Sequence, residues 1–163
     1  MKKRTIATVV FAILLVGWMT LIFSFSCEDG DKSANTSTDV VTEIVEIISP
    51  TTPAEKAEQI VQENQTTIRK LAHFALYMGL GFFACGLSVS AFDISTKSKF
   101  LLTFSFCIFY AATDELHQFF VVGRSGSAVD VALDSFGALV TIIAVLSAEK
   151  LYLKMQSKKS LIC

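Results

Sequence analysis

The sequence lacks a charge excess of either sign. Its 14 basic residues face 15 acidic ones, which leaves a formal net charge of −1. Nucleic-acid-binding proteins usually carry a basic excess, so we expect no nucleic-acid partner. The sequence also lacks a His-Glu-x-x-His motif, a glycine-rich phosphate loop and a Ser-His-Asp signature. The four cysteines lack the spacing of a metal cluster. We therefore expect no cofactor.

Apolar residues are what the chain has in abundance. They make up 52% of the sequence, and the mean hydropathy is +0.55. A membrane span needs about 20 apolar residues. The chain therefore predicts an all-α, polytopic membrane bundle of four transmembrane helices in a single domain, 1–163. The spans are expected at about 6–26, 70–92, 99–121 and 128–148. A secretory signal is the alternative for the first run, but signal apolar regions are shorter, roughly 7–15 residues, which favours an uncleaved span.

The basic residues predict how the bundle is oriented. Four spans place most of them on one side, which the positive-inside rule assigns to the cytoplasm. They are Lys2, Lys3, Arg4, Lys97, Lys99, Lys150, Lys154, Lys158 and Lys159. We therefore expect a multi-pass protein of the cell membrane with both termini in the cytoplasm. The acidic segment 27–68 would then lie outside. Helical spacing of its apolar residues predicts one or two amphipathic helices there, and an acidic, partly ordered loop is the alternative.

Polar residues interrupt the last three apolar runs. Placing an ionisable residue at the centre of a membrane helix costs roughly 2.5–3.5 kcal/mol even on insertion scales. In the predicted topology these residues all fall in the outer leaflet, so we predict that they form one polar site. The candidates are Arg69, Lys70, His73, Tyr77, Asp114, Glu115, His117, Gln118, Arg124, Ser125, Asp130 and Asp134.

Each candidate also has a structural explanation. His73 could simply hydrogen-bond to a neighbouring helix. Arg124 could form a structural ion pair with Glu115 or Asp130, and Asp130 could stabilise the start of its helix. Cys85 and Cys107, in apolar runs, are expected to pack as small hydrophobic residues, and Tyr77 is expected to pack with its hydroxyl hydrogen-bonded.

The functional interpretation takes these groups together. An arginine in the turn 123–126 could receive a phosphate or carboxylate. Histidines beside carboxylates could carry protons near neutral pH. His73, His117, Glu115 and either Asp130 or Asp134 are also suitable ligand types for a metal. Their positions match no established ligand spacing, so we predict no metal site.

The polar motifs resemble those of the VanZ-like family of bacterial membrane proteins. They are the segments 69–74, 114–119 and 123–126, together with Tyr77, Gly81 and Asp130. The chain departs from the family pattern at three places. Ser26-Cys27-Glu28 replaces the usual Ser-Ser-Gln, Val122 replaces a common proline, and Asp134 replaces a typical asparagine. The last change matters most, because an ionised acid cannot donate hydrogen bonds as an amide does.

The resemblance implies an envelope role linked to low-level resistance to the glycopeptide teicoplanin, with no established molecular activity. We expect membrane lipids as partners, with an anionic lipid-linked envelope precursor or a glycopeptide as candidate ligands. We favour a protein that binds such an anion in an outer-leaflet pocket. One alternative is a membrane-embedded enzyme acting on a lipid-linked phosphate or cell-wall precursor. Another is a scaffold whose polar residues only lock the helices together.

Overall fold

The described part of the chain consists mostly of helices, joined by short connections. A computed structural model describes residues 2–27, 63–124 and 126–160, and these ranges contain four helices and no strand. The helices are α1 (Lys2–Ser26), α2 (Gln65–Ala91), α3 (Thr96–Gln118) and α4 (Ala128–Ser160). The predicted all-α class is therefore confirmed.

The helices extend beyond the apolar runs that predict them. α2 begins five residues before the expected span, and α4 continues from the expected end at 148 to Ser160. α3 ends at Gln118, three residues early, because the chain then turns, with the Val121 amide donating to the Gln118 carbonyl at 3.0 Å. The predicted external helices fall on residues 28–62, which lie outside the described ranges.

Three helices are long and apolar enough to cross a membrane. These segments are Arg4–Ser26, Gln65–Ala91 and Ala128–Lys158. α3 does not reach the same hydropathy, because polar residues occupy both of its ends. Those residues face the other helices: Lys99 and Thr103 are buried near its start, and Asp114, Glu115 and Gln118 near its end. Its low hydropathy therefore reflects a polar inner face.

α2 is the central element of the bundle. It packs against all three other helices, most extensively against α4. Two side-chain hydrogen bonds hold α1 in place: Trp18 Nε1 donates to the Leu76 carbonyl at 2.8 Å, and the Tyr110 hydroxyl donates to the Met19 carbonyl at 2.7 Å. Cys85 and Cys107 are free thiols in the apolar core, as predicted.

Charged residues also tie the helices together at the end of the bundle where α1 begins. Lys99 of α3 forms an ion pair with Glu149 of α4, and both side chains are largely buried. Arg4 Nε donates to the Ser90 carbonyl of α2 at 2.9 Å. The first contact joins α3 to α4, and the second joins α1 to α2. Each therefore fixes one helix against a neighbour at this end of the bundle.

Two glycines allow α2 and α4 to approach closely. A Cβ atom on Gly81 would lie 2.6 Å from the Ala138 carbonyl oxygen, and one on Gly137 would lie 2.5 Å from the Phe74 carbonyl oxygen. Both obstacles are backbone atoms, which cannot rotate away as a flexible side chain can. Small residues commonly mediate such contacts between membrane helices.

We expect Gly137→Ala and Gly81→Ala each to lower the free energy of unfolding by about 1–3 kcal/mol, because the new methyl group forces the helices apart. Gly17→Ala is the matched control, since a Cβ at Gly17 meets no atom within 4 Å. It should be neutral or stabilising, because alanine favours a helix. Unfolding of the purified proteins in detergent measures all three. Equal stability of Gly137→Ala and Gly17→Ala would contradict this packing.

Candidate polar site

A polar cleft opens at the end of the bundle where α2 begins, α3 ends and α4 begins. Its enclosed space is only about 10 Å³, roughly that of one water molecule, and the cleft is partly open to the surroundings. Seven of the sequence-predicted site residues line it, joined by Leu133. They are Arg69, Lys70 and His73 from α2, Glu115 and Gln118 from α3, and Asp130 and Asp134 from α4. The structure thus brings together residues that are up to 65 positions apart.

One ion pair closes the α2–α4 side of the cleft. Lys70 Nζ lies 2.5 Å from Asp130 Oδ1, and Asp130 is the more buried partner. Asp130 stands in the first turn of α4, where the helix dipole also favours an acid. The partner expected for Asp130 in the structural alternative was Arg124. The structure pairs it with Lys70, because Lys70 leaves α2 directly opposite.

Glu115 joins the end of α3 to the start of α4. One of its carboxylate oxygens accepts a hydrogen bond from the Ser127 amide at 2.9 Å, just before α4 begins. The connecting turn packs tightly on α3, since a Cβ on Gly126 would lie 2.6 Å from the Glu115 carbonyl oxygen. Gly123 has a φ of 76°, a conformation that suits glycine. Ser125, also predicted for the site, lies outside the described residues.

Asp114 belongs to a buried network beneath the cleft. Ser26 Oγ donates to its Oδ2 at 2.9 Å, and Gln118 Nε2 lies 3.3 Å from both that carboxylate oxygen and the serine hydroxyl. Ser26 is fully buried. Sequence reasoning missed its role, although it stands in the segment compared with the family's Ser-Ser-Gln. The adjacent acids Asp114 and Glu115 thus avoid each other by turning to different partners.

Three buried groups meet below the floor of the cleft. His73, Asp114 and Asp134 can each offer one ligand atom, and these atoms all lie within 4.8 Å of one another. Asp134 is 1% exposed and Asp114 4% exposed. The Tyr77 hydroxyl, also buried, interacts with the Asp114 carboxylate without a hydrogen bond of regular geometry. This is the set of side chains that could hold a metal ion.

Two predicted site residues point away from the cleft. His117 packs against the Phe23 ring, with the ring centroids 4.9 Å apart, and its Nε2 lies 3.3 Å from Cys27 Sγ. His117 lies with Asp114 and Gln118 on the side of α3 that faces α1, but its ring contacts Phe23 and Cys27 and does not line the cleft. Arg124 donates from NH2 to the Phe25 carbonyl at 3.0 Å, which anchors the turn to the end of α1.

Ser26→Ala should destabilise the fold by about 1–3 kcal/mol, because a buried carboxylate loses a hydrogen-bond donor. Ser24→Ala is the control: its hydroxyl donates only to the Thr20 carbonyl, four residues back on the same helix. The control should change stability little. Detergent unfolding curves of both variants provide the measurement, and a Ser26→Ala protein as stable as the control would show that the network contributes nothing.

Comparison with known proteins places this arrangement in a family. The family model VanZ/LLP1 matches residues 11–149, which include every residue of the cleft and its buried floor. No curated protein and no solved structure matches the chain. The match covers most of the sequence, and the resemblance predicted from the polar motifs is confirmed. The chain belongs to the VanZ/LLP1 family.

Proposed function

We propose that this protein is a four-span component of the bacterial cell membrane that binds an anionic lipid headgroup, or the phosphate of a lipid-linked envelope precursor, in the polar cleft. The observation that carries the proposal is Arg69. Its side chain lines the cleft, and it makes no hydrogen bond or ion pair with any residue in the described ranges. A guanidinium is suited to bidentate binding of phosphate.

The neighbours of Arg69 support an anion at this position. Lys70 also lines the cleft, but its ammonium is paired with Asp130, so Arg69 is the cleft cation without an ion pair among the described residues. Gln118 and His73 supply further polar groups on the wall. Arg124, the residue that the sequence suggested for the anion, is directed to the end of α1 instead. In this proposal it positions the turn, and Arg69 takes the anion.

The outer surface of α3 supports the fourth span. Five large apolar side chains of this helix are exposed: Leu101, Leu102, Ile108, Phe109 and Leu116. Its 23 residues reach about 35 Å, enough to cross the hydrocarbon core of about 30 Å. A helix with an apolar outer face and a polar inner face fits a bundle in lipid. Both termini then lie in the cytoplasm and the cleft opens in the outer leaflet.

This topology predicts three labelling results in a chain lacking Cys163. A membrane-impermeant maleimide should label Cys27 on intact cells. In Cys27→Ser proteins it should also label Val122→Cys, but should reach Asp93→Cys only after the membrane is permeabilised. Asp93 and Val122 are both exposed and lie at opposite ends of α3. Labelling of both engineered positions from the same side would show that α3 does not cross.

Anion binding predicts that Arg69→Ala loses at least tenfold in affinity for phosphatidylglycerol relative to phosphatidylcholine, because a hydrogen bond to a charged group contributes about 1.5–3 kcal/mol. Arg69→Lys should fall between wild type and Arg69→Ala, since lysine keeps the charge but loses the fork. Native mass spectrometry of the protein in nanodiscs counts the bound lipids. Arg124→Ala is the control, being the same residue type at the same end of the bundle.

Two outcomes would overturn the anion proposal. The first is an unchanged lipid preference in folded Arg69→Ala. The second is an equal loss in Arg124→Ala, which would mean that any nearby charge is sufficient. The association with teicoplanin can be examined in cells that produce either protein at equal levels. If the cleft mediates protection against teicoplanin, cells producing Arg69→Ala should lose the protection that the wild-type chain provides.

A scaffold role fits part of the site but not all of it. The Lys70–Asp130 pair, the Glu115–Ser127 hydrogen bond and the Arg124–Phe25 contact each join two elements of the fold. Lys70→Ala and Glu115→Ala should lower folding yield and function together, because each removes a bond between two elements. Arg69 makes no such contact in the described part of the chain, so an Arg69→Ala protein that folds normally yet loses its lipid preference separates binding from scaffolding.

A further inference from the structure

We propose that His73, Asp114 and Asp134 form a binding site for one divalent transition-metal ion, with Zn²⁺ as its natural probe, beneath the polar cleft. The sequence predicts no metal, because its candidate ligands, His73, His117, Glu115 and either Asp130 or Asp134, match no established spacing. The structure instead joins Asp114 to His73 and Asp134 from three different helices. The fold nevertheless brings their ligand atoms within 4.8 Å of one another. Ligands of one tetrahedral Zn²⁺ stand about 3.3 Å apart, given bond lengths near 2.0–2.1 Å. Small side-chain rotations would close that difference.

The unsatisfied atoms point to a missing partner. His73 Nδ1, Asp114 Oδ1 and Asp134 Oδ2 are all buried, and none has a hydrogen bond of regular geometry among the residues the structure describes, although the Tyr77 hydroxyl interacts with the Asp114 carboxylate. Buried polar atoms are nearly always paired, so each such atom calls for an explanation. Here the three belong to the three side chains whose ligand atoms converge. A cation between them would satisfy all three at once.

Charge supports a cation over a neutral partner. Two carboxylates buried side by side repel each other, and burying each one alone is costly. The nearest lysine in the cleft, Lys70, is already paired with Asp130. A divalent ion would balance Asp114 and Asp134 completely, while a neutral imidazole from His73 completes a nitrogen and oxygen ligand set of the kind that suits Zn²⁺.

The surroundings of the three residues match those of a metal site. The Asp114 oxygen that accepts from Ser26 and Gln118 is Oδ2, which leaves Oδ1 without a hydrogen bond. Hydrogen bonds of this kind orient ligands and tune affinity in known metal sites. His73 and Asp134 also line the cleft, which provides a path for an ion to enter. The site does not depend on anion binding at Arg69.

The test uses the full chain in maltoside detergent, stripped with a chelator and titrated with ZnCl₂ alone against a chromophoric competitor. All proteins carry Cys27→Ser, because Cys27 and His117 lie 3.3 Å apart and could bind zinc themselves. We expect one tightly bound Zn²⁺ per chain. Asp134→Asn should weaken binding at least tenfold, and Ser26→Ala by about tenfold through the lost support of Asp114.

Asp130→Asn is the matched control, since it removes a cleft carboxylate that is paired with Lys70 and lies outside the three-residue set. Its zinc affinity should fall much less than that of Asp134→Asn, because Asp130 contributes charge from a distance but no ligand atom. Three results would overturn the proposal: no bound Zn²⁺ in the parent, full retention in folded Asp134→Asn, or an equal loss in Asp130→Asn.

A second measurement covers the case in which Asp134→Asn fails to fold. Asparagine has nearly the same size and shape as aspartate, so we expect a folded protein. Otherwise, Co²⁺ added to the Cys27→Ser parent reports the site directly through its visible ligand-field absorption, which Zn²⁺ should displace. Absence of this spectrum would overturn the proposal. The anion proposal at Arg69 would still be judged separately, by the lipid preference of the Arg69 variants.

Discussion

The polar site depends on how closely α2 and α4 approach. Gly137 brings the backbone of α4 against the Phe74 carbonyl of α2. Phe74 directly follows His73, and Gly137 lies one turn after Asp134. A Cβ there would lie 2.5 Å from the Phe74 carbonyl oxygen, so any larger residue would force the two helices apart. His73 and Asp134 would then leave the distance at which their side chains share a partner. Lys70 and Asp130, one turn nearer the helix starts, rest on the same geometry.

The polar residues divide into two groups by what they contact. Some complete bonds between elements of the fold: Lys70 with Asp130, Glu115 with Ser127, Arg124 with Phe25 and Lys99 with Glu149. Others keep buried polar atoms without a hydrogen-bond partner among the residues described, above all His73, Asp114 and Asp134. In a bundle where the first group already holds the helices together, the second group costs stability. Costly polar groups within a membrane protein usually mark function.

The sequence predicted the convergence of the site because two simple constraints determine it. The positive-inside rule sets which helix ends meet, and helical periodicity sets which residues face inward. Those constraints place Arg69, His73, Glu115 and Asp130 together. They do not determine which of several neighbouring residues near a helix end lines the cleft, because each successive residue is rotated by about 100° around the helix axis. This is why His117 faces Phe23 rather than the cleft.

Other features required packing information that a single sequence does not contain. The role of Ser26 depends on α1 placing its last turn against Asp114, and nothing in the residues from 23 to 26 indicates which neighbour α1 selects. The same holds for Arg124, whose partner is a backbone carbonyl rather than an acid. The mean hydropathy of α3 is low because its inner face is polar, while several large side chains exposed on its outer face are apolar.

The two proposed ligands reinforce each other electrostatically. In the cleft and its floor, Arg69 and Lys70 face Asp114, Glu115, Asp130 and Asp134, so the acids outnumber the bases. An anion entering beside Arg69 would meet these carboxylates, and its binding would be weakened by any that are ionised. A divalent ion between His73, Asp114 and Asp134 removes that repulsion. Linkage is reciprocal, so the anion in turn would favour the ion. An acid at position 134 is then compatible with an anion-binding cleft, because the divalent ion neutralises the charge of its carboxylate.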